Sequence, residues 1–198
     1  AAITATGSGA GLVVDYNQGS GVTDGNFYAN ARVNLPLTGS LAINGQGYTL
    51  IDSLAGLGSQ TGHYALVNDI TTPINVPRGT LSGTFEGLGH TLSNLDVTTV
   101  QPTVGLFGDI TATGTVRNLT LAGRVTGTGS TVYVGILTGF NDGTIVNVHA
   151  SGTVSGNYYN GYVGGLVGSN TGHIFGSSAN VAVTALGGHV GGLVGYMQ

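Results

Sequence analysis

The chain has no cysteine and no tryptophan, and its 4 basic residues are all arginine: Arg32, Arg78, Arg117 and Arg124. Without cysteine there is no disulfide frame, no thiolate metal site and no thiol nucleophile. Charged residues make up only 6% of the sequence, 8 acidic against 4 basic, for a formal net charge of −4. So few charges exclude disorder driven by repulsion. A handful of arginines also cannot neutralise the phosphates that nucleic acid presents, or dock an anionic membrane through a basic patch. No run of about 18 apolar residues is available to span a bilayer as a helix. No segment keeps a 3.6-residue period through three turns. Glycine supplies 38 of 198 residues, and each one inside a helix would cost about 1 kcal/mol. Helix is therefore expected to be nearly absent. The glycines follow no G-X-Y period, which excludes collagen. What remains is 40% hydrophobic, enough for a core, at a length that fits one or two domains.

Neither an initiator methionine nor a signal peptide opens the sequence, and residues 191–195 stop in the middle of a repeat. A processed chain, or a segment of a longer one, is the expectation. The Thr-, Asn- and Gly-rich composition fits a secreted or surface-displayed bacterial protein.

The second half is plainly repetitive. Leu106-Phe107-Gly108, Leu137-Thr138-Gly139, Leu166-Val167-Gly168 and Leu193-Val194-Gly195 recur with closing glycines 31, 29 and 27 residues apart. A second element, starting at Gly114, Gly143 and Gly172, recurs at 29 and 29. Two elements repeating in phase mark a stacked architecture, in which each unit buries its apolar face only against its neighbours. Within a repeat, Val116, Leu119, Leu121 and Val125 fall in short β-favouring runs. Hairpin signals look weak, with no Asn-Gly or Asp-Gly pair regularly flanked by equal strands, and a propeller blade would need about 40 residues. The reading is an all-β, right-handed parallel β-helix, or β-solenoid, with coils of 27–31 residues in the C-terminal half and each coil about 4.8 Å above the last. Residues 1–40 read as less regular coils or a cap, 41–103 as irregular coils and 104–198 as the regular repeats. A looser repeat, G-x-G-[YH]-T-L, links the segments starting at Ile43 and Phe85. Leu106, Leu137, Leu166 and Leu193 should form one buried stack, with Leu119 and Val148 on another face.

Several of these residues also carry a resemblance. Tyr64-x-Leu66-x-x-Asp69-Ile70, the run from Gly83 through Glu86, Gly87, Gly89 and His90 to Leu95, and the VGGLVG units at Val163 and Val190 resemble the GLUG-repeat and filamentous-haemagglutinin-type bacterial adhesins. That resemblance covers roughly residues 40–198. It implies a β-helical shaft exported through a partner outer-membrane pore. It also implies exposure at the bacterial cell surface, and attachment to a host or bacterial surface glycan or protein.

Chemistry is sparse. None of His63, His90, His149, His173 and His189 belongs to an H-E-x-x-H zinc motif, and the sole glutamate, Glu86, reads as part of a turn pattern. The seven aspartates are scattered and build no carboxylate ladder or calcium repeat. The G-x-G strings open no helix, so they read as coil corners rather than phosphate loops. No cofactor, metal or catalytic residue is expected, and the chain does not read as an enzyme. Asn118-Leu119-Thr120 is the only N-x-[ST] sequon, open to glycosylation if Asn118 faces outwards. The alternative is an asparagine ladder, because Asn147 lies one repeat further on.

The aromatics lean towards binding. Tyr133, Tyr162 and His189 each precede the Val-Gly of a repeat, and in register they would form a column. Beside them lies a turn containing Tyr158 and Tyr159. Rings with neighbouring amides suit sugars and protein epitopes alike; corner packing is the competing explanation. The expected function is a non-catalytic adhesive or biofilm-matrix segment. The alternatives are a filament subunit associating end to end and a polysaccharide-binding or -cleaving β-helix, with an ice-binding solenoid more distant.

Overall fold

The computed structural model describes residues 2–16, 27–29, 31–130, 133–157, 159 and 161–198. Strand makes up 57% of the protein. The only helical element among the described residues is a 3₁₀ turn at Leu54–Gly56. The chain is a β-solenoid of about 6 turns built from stacked parallel strands, as the repeat arithmetic requires.

Four faces enclose the regular coils. The first stacks Gln46–Ile51, His63–Leu66, Thr84–Glu86, the opening residues of Thr115–Gly127 and Thr144–Gly156, and His173–Phe175, all in parallel. The remainder of the two 13-residue strands continues into a second face with Thr91–Thr99 and Ser178–Ala185. Thr103–Val104, Tyr133–Val134, Tyr162–Gly164 and His189–Gly191 form the third. The fourth contains Thr80–Leu81, Phe107–Ile110, Thr138–Asn141, Val167–Asn170 and Val194–Met197.

The bend from the first face to the second passes through Leu88, Asn118, Asn147 and Gly176, at φ of +50°, +55°, +53° and +56°. Asparagine and glycine tolerate this left-handed geometry better than other residues. Leu88 is the costly member, held there with its side chain fully buried.

Pairing of Phe107 with Thr138, Thr138 with Val167 and Val167 with Val194 puts the four repeat leucines in one column. Leu106, Leu137 and Leu166 are fully buried, whereas Leu193 in the outermost coil is only half-buried and packs against the core from one side. Leu119 pairs with Val148 on the second face, and both are buried.

The N-terminal part departs from the repeat. Ser40–Ile43 and Gln46–Ile51 form an antiparallel hairpin around Asn44-Gly45 at φ +49° and +76°. This corrects the expectation that hairpin chemistry is weak: one Asn-Gly pair suffices because positive φ at both central residues matches the twist of the flanking strands. Strand direction therefore reverses here, and Gly11–Val14 adds in parallel to Ser40–Ile43. The loose repeat between Ile43 and Phe85 is not a structural equivalence. Gln46 and Gly47 lie in a strand, while Gly87 and Gly89 flank the corner residue Leu88.

Two cores result. The main one fills the solenoid. The second joins Val33, Leu35, Leu41 and Ile43 of the N-terminal part to Leu50, Ala65, Val67 and Leu88, which point out of the first coils. Residues 27–29 and 31–34 lie against several coils along the corner. The Val33 amide donates to the Leu88 carbonyl and the Ala29 amide to Asn118 Oδ1, while Gly176 lies against the Tyr28 ring.

Candidate functional site

Tyr133, Tyr162 and His189 are paired across successive strands, and their ring centroids step by 5.0 Å and 5.0 Å. The expected column exists. It is joined by two residues the repeat pattern left out. Tyr196 stacks on Tyr162 at 4.7 Å and 15° and lies 4.9 Å from His189, and Phe140 meets Tyr133 edge-on at 6.4 Å. Both residues follow the closing glycine of a repeat, and that position was the available signal.

Glycine makes the meeting possible. A Cβ at Gly168 would come within 2.6 Å of the Val134 amide nitrogen, and one at Gly195 within 2.6 Å of that of Val163. The fourth face therefore crosses the third at backbone distance, which sets Tyr196 beside Tyr162. This is the physical content of the VGGLVG unit.

The stacking also decides what the column offers. Tyr133, Tyr162 and Tyr196 are half-buried and His189 is exposed. Tyr162 and Tyr196 lie face to face, while the Tyr133–Tyr162, Tyr162–His189 and His189–Tyr196 pairs are tilted by 37°, 54° and 53°, so packing within the column covers part of each ring. An open ring is supplied by Tyr159, 71% exposed, whose backbone rests on Gly187. Tyr158 lies outside the described residues.

Asn118 does not face outwards. It is 1% exposed, its Nδ2 donates to Glu86 Oε1 at 3.0 Å, and its Oδ1 accepts from Ala29 N and from Asn147 Nδ2. A glycan has no exit there; the asparagine ladder holds. A second ladder, Asn141 Nδ2 to Asn170 Oδ1 at 2.6 Å, carries the same 29-residue spacing.

Glu86 is likewise no turn residue. It ends the strand Thr84–Glu86 fully buried, and Arg117 Nε reaches its Oε2 at 2.6 Å. The Leu88 amide donates to Oε1. Arg117 also donates to Tyr48 Oη at 2.7 Å and Tyr16 Oη at 3.2 Å, and lies 5.7 Å from the Phe27 ring centroid. Burial pushes the Glu86 carboxyl upward against the pull of Arg117 and its hydrogen bonds. Burial opposes the Arg117 charge as well, but Glu86, Tyr48 and Tyr16 outweigh it and hold the guanidinium more firmly protonated than usual. The network ties the N-terminal part to the shaft. The signal missed was a lone glutamate between apolar neighbours in a repeating strand.

Among the described residues no three His, Asp or Glu side chains gather as a metal site, and no helix is long and apolar enough to cross a membrane. No protein-family model, curated protein or solved structure matches this chain.

Proposed function

We propose that this chain is a non-catalytic, adhesive shaft segment of a secreted bacterial surface or biofilm-matrix protein, of the GLUG-repeat and filamentous-haemagglutinin type. The observation that carries the reading is the in-register aromatic column with Tyr159 beside it. A rigid stack repeats one side-chain edge every coil, so an extended glycan or peptide meets several weak contacts, and many copies on a cell multiply them.

The test is attachment of beads coated with the whole chain to host- and bacterial-surface glycan panels. Tyr159→Ser removes the open ring, while Tyr133→Phe with Tyr162→Phe keeps the stack and removes only hydroxyl edges. Loss of attachment in either variant at unchanged circular dichroism supports the site. Full attachment in both removes it.

End-to-end association is a second reading, since the last described coil presents an apolar face that a second copy, like a further coil of the same chain, would bury. Its inward Ile174, Val181, Val183 and Val194 are only partly buried, and Phe175, Val190 and Met197 are exposed. Sedimentation that grows with concentration supports it; a constant monomer mass excludes it.

A further inference from the structure

Ala29, Ala31 and Arg32, at the corner, leave a groove of about 490 Å³ between themselves and the second face. That is within the roughly 300–1,000 Å³ range of small-ligand sites. We propose that this groove binds a carboxylated saccharide, a uronate- or sialate-type sugar. The inference is separate from the aromatic column and does not depend on it.

The lining is polar and one-signed. Among the described residues its ionisable members are Arg32 and His149, and no carboxylate lines it; Thr120, Asn147, Gly89 and Ala31 stand in its walls with them. In a chain of net charge −4, a groove whose described lining holds a guanidinium is set apart, its acid partner Asp69 standing outside the lining. A second groove, about 570 Å³ beside Asp96 and Arg124, has its cation engaged by an acid in the same lining through two guanidinium nitrogens, Nε at 3.0 Å and Nη2 at 2.8 and 3.1 Å.

Arg32 Nη1 meets Asp69 Oδ2 at 3.0 Å with the arginine 51% exposed. Among the described residues its remaining nitrogens meet no second acid, and they are placed to take a carboxylate. Asp69 divides its own charge: its Oδ1 also accepts from the Thr91 amide at 2.9 Å and faces His90 Nδ1 at 3.3 Å. Arg32 is therefore only partly neutralised.

Neutral donors suited to sugar hydroxyls stand opposite. Asn147 Nδ2 gives one N–H to Asn118, and an amide nitrogen carries two. The Thr120 hydroxyl shares the groove. His149 is fixed as a wall, its Nε2 at 3.1 Å from Asn147 Oδ1 and its Nδ1 at 2.8 Å from Ser178 Oγ. A carboxylate at Arg32 with ring hydroxyls towards Asn147 and Thr120 uses each of these groups.

The experiment titrates the whole, isotope-labelled chain with a glucuronate disaccharide, with the matching neutral glucose disaccharide, and with sodium acetate, following backbone amides. The expected result is saturable shifts at Gly89, Thr120 and Asn147 with the glucuronate sugar, weakened by added salt and much smaller with the other two probes. Arg32→Gln should weaken binding by about tenfold or more, the loss of a charge-assisted hydrogen bond. His149→Gln, which leaves the Asp69 pair intact, should weaken it by several-fold. Equal response to the neutral sugar or to acetate overturns the proposal. So does an absence of groove shifts, or unchanged affinity in both variants while their amide spectra remain those of the folded chain.

Discussion

Asn118 joins backbone and network in one residue. Its left-handed φ of +55° suits asparagine, and its amide serves Glu86, Ala29 and Asn147 at once. Asn118→Ala should cost about 2–4 kcal/mol, combining the left-handed penalty with buried groups left without partners. Asn118→Gly keeps the corner and should cost roughly half as much, through the lost hydrogen bonds alone. Denaturant midpoints of the two variants separate these contributions, and equal losses would refute the division. Tyr48 makes a second case. Burial raises its phenol above 10.0 despite the Arg117 charge, which pulls the other way. A phenol raised in the folded state contributes stability in full below pH 10, and that contribution is lost as pH rises through the folded value. Tyr48→Phe should therefore flatten the alkaline end of the stability profile. At neutral pH it should cost about 1–3 kcal/mol, because Arg117 loses an acceptor. An alkaline profile identical to that of the parent would show that Tyr48 titrates as if unburied.

Within the coils, the leucine column and the glycine crossings fix the register. Leu166 is fully buried between Leu137 and Leu193. Leu166→Ala should destabilise the chain by about 2–5 kcal/mol, and a loss under about 0.5 kcal/mol would belong to a surface residue instead. Gly152, at φ +126°, lies against the Gly123 carbonyl, where a methyl would overlap the oxygen. Gly152→Ala should cost more than Leu166→Ala, because backbone on the neighbouring coil would have to move. The leucine column and its closing glycines were legible in the sequence because a solenoid writes its geometry as spacing. Spacings of 31, 29 and 27 residues are the register itself. The asparagine ladder at 118 and 147 was legible for the same reason. The Arg117–Glu86 pair was not, because it is made once and leaves no period, and its two residues stand 31 apart with nothing local to mark them. Tyr196 was hidden differently. It belongs to the fourth face, and only the crossing at Gly195 brings it onto a column counted along the third.

Across the whole molecule the division into two cores governs how the chain should open. The shaft core runs without interruption from Ile51 to Val167. The smaller core holds the N-terminal part to the outside of the first coils, around Leu50, Ala65, Val67 and Leu88. Packing clusters of this kind open as separate cooperative units. Amides in Arg32–Asn34 and Ser40–Ile43 should therefore exchange with solvent faster than those in Thr115–Gly127 and Thr144–Gly156. Arg117 is the charged centre of the polar links between the units, contacting Glu86 on the shaft and Tyr16 and Phe27 on the N-terminal part, beside the Arg32–Asp69 pair and the Ala29–Asn118, Val33–Leu88 and His90–Val33 hydrogen bonds. Arg117→Ala leaves the Glu86 carboxylate buried without its cation, a change that costs about 3–5 kcal/mol when nothing relaxes. Here the N-terminal part can relax by lifting away and admitting water to Glu86. The variant should then raise exchange at Val33 and Leu41 strongly while leaving Leu121 and Val154 protected. Equal acceleration at all four amides would mean that the protein opens as one body, and that the second core is only an extension of the first.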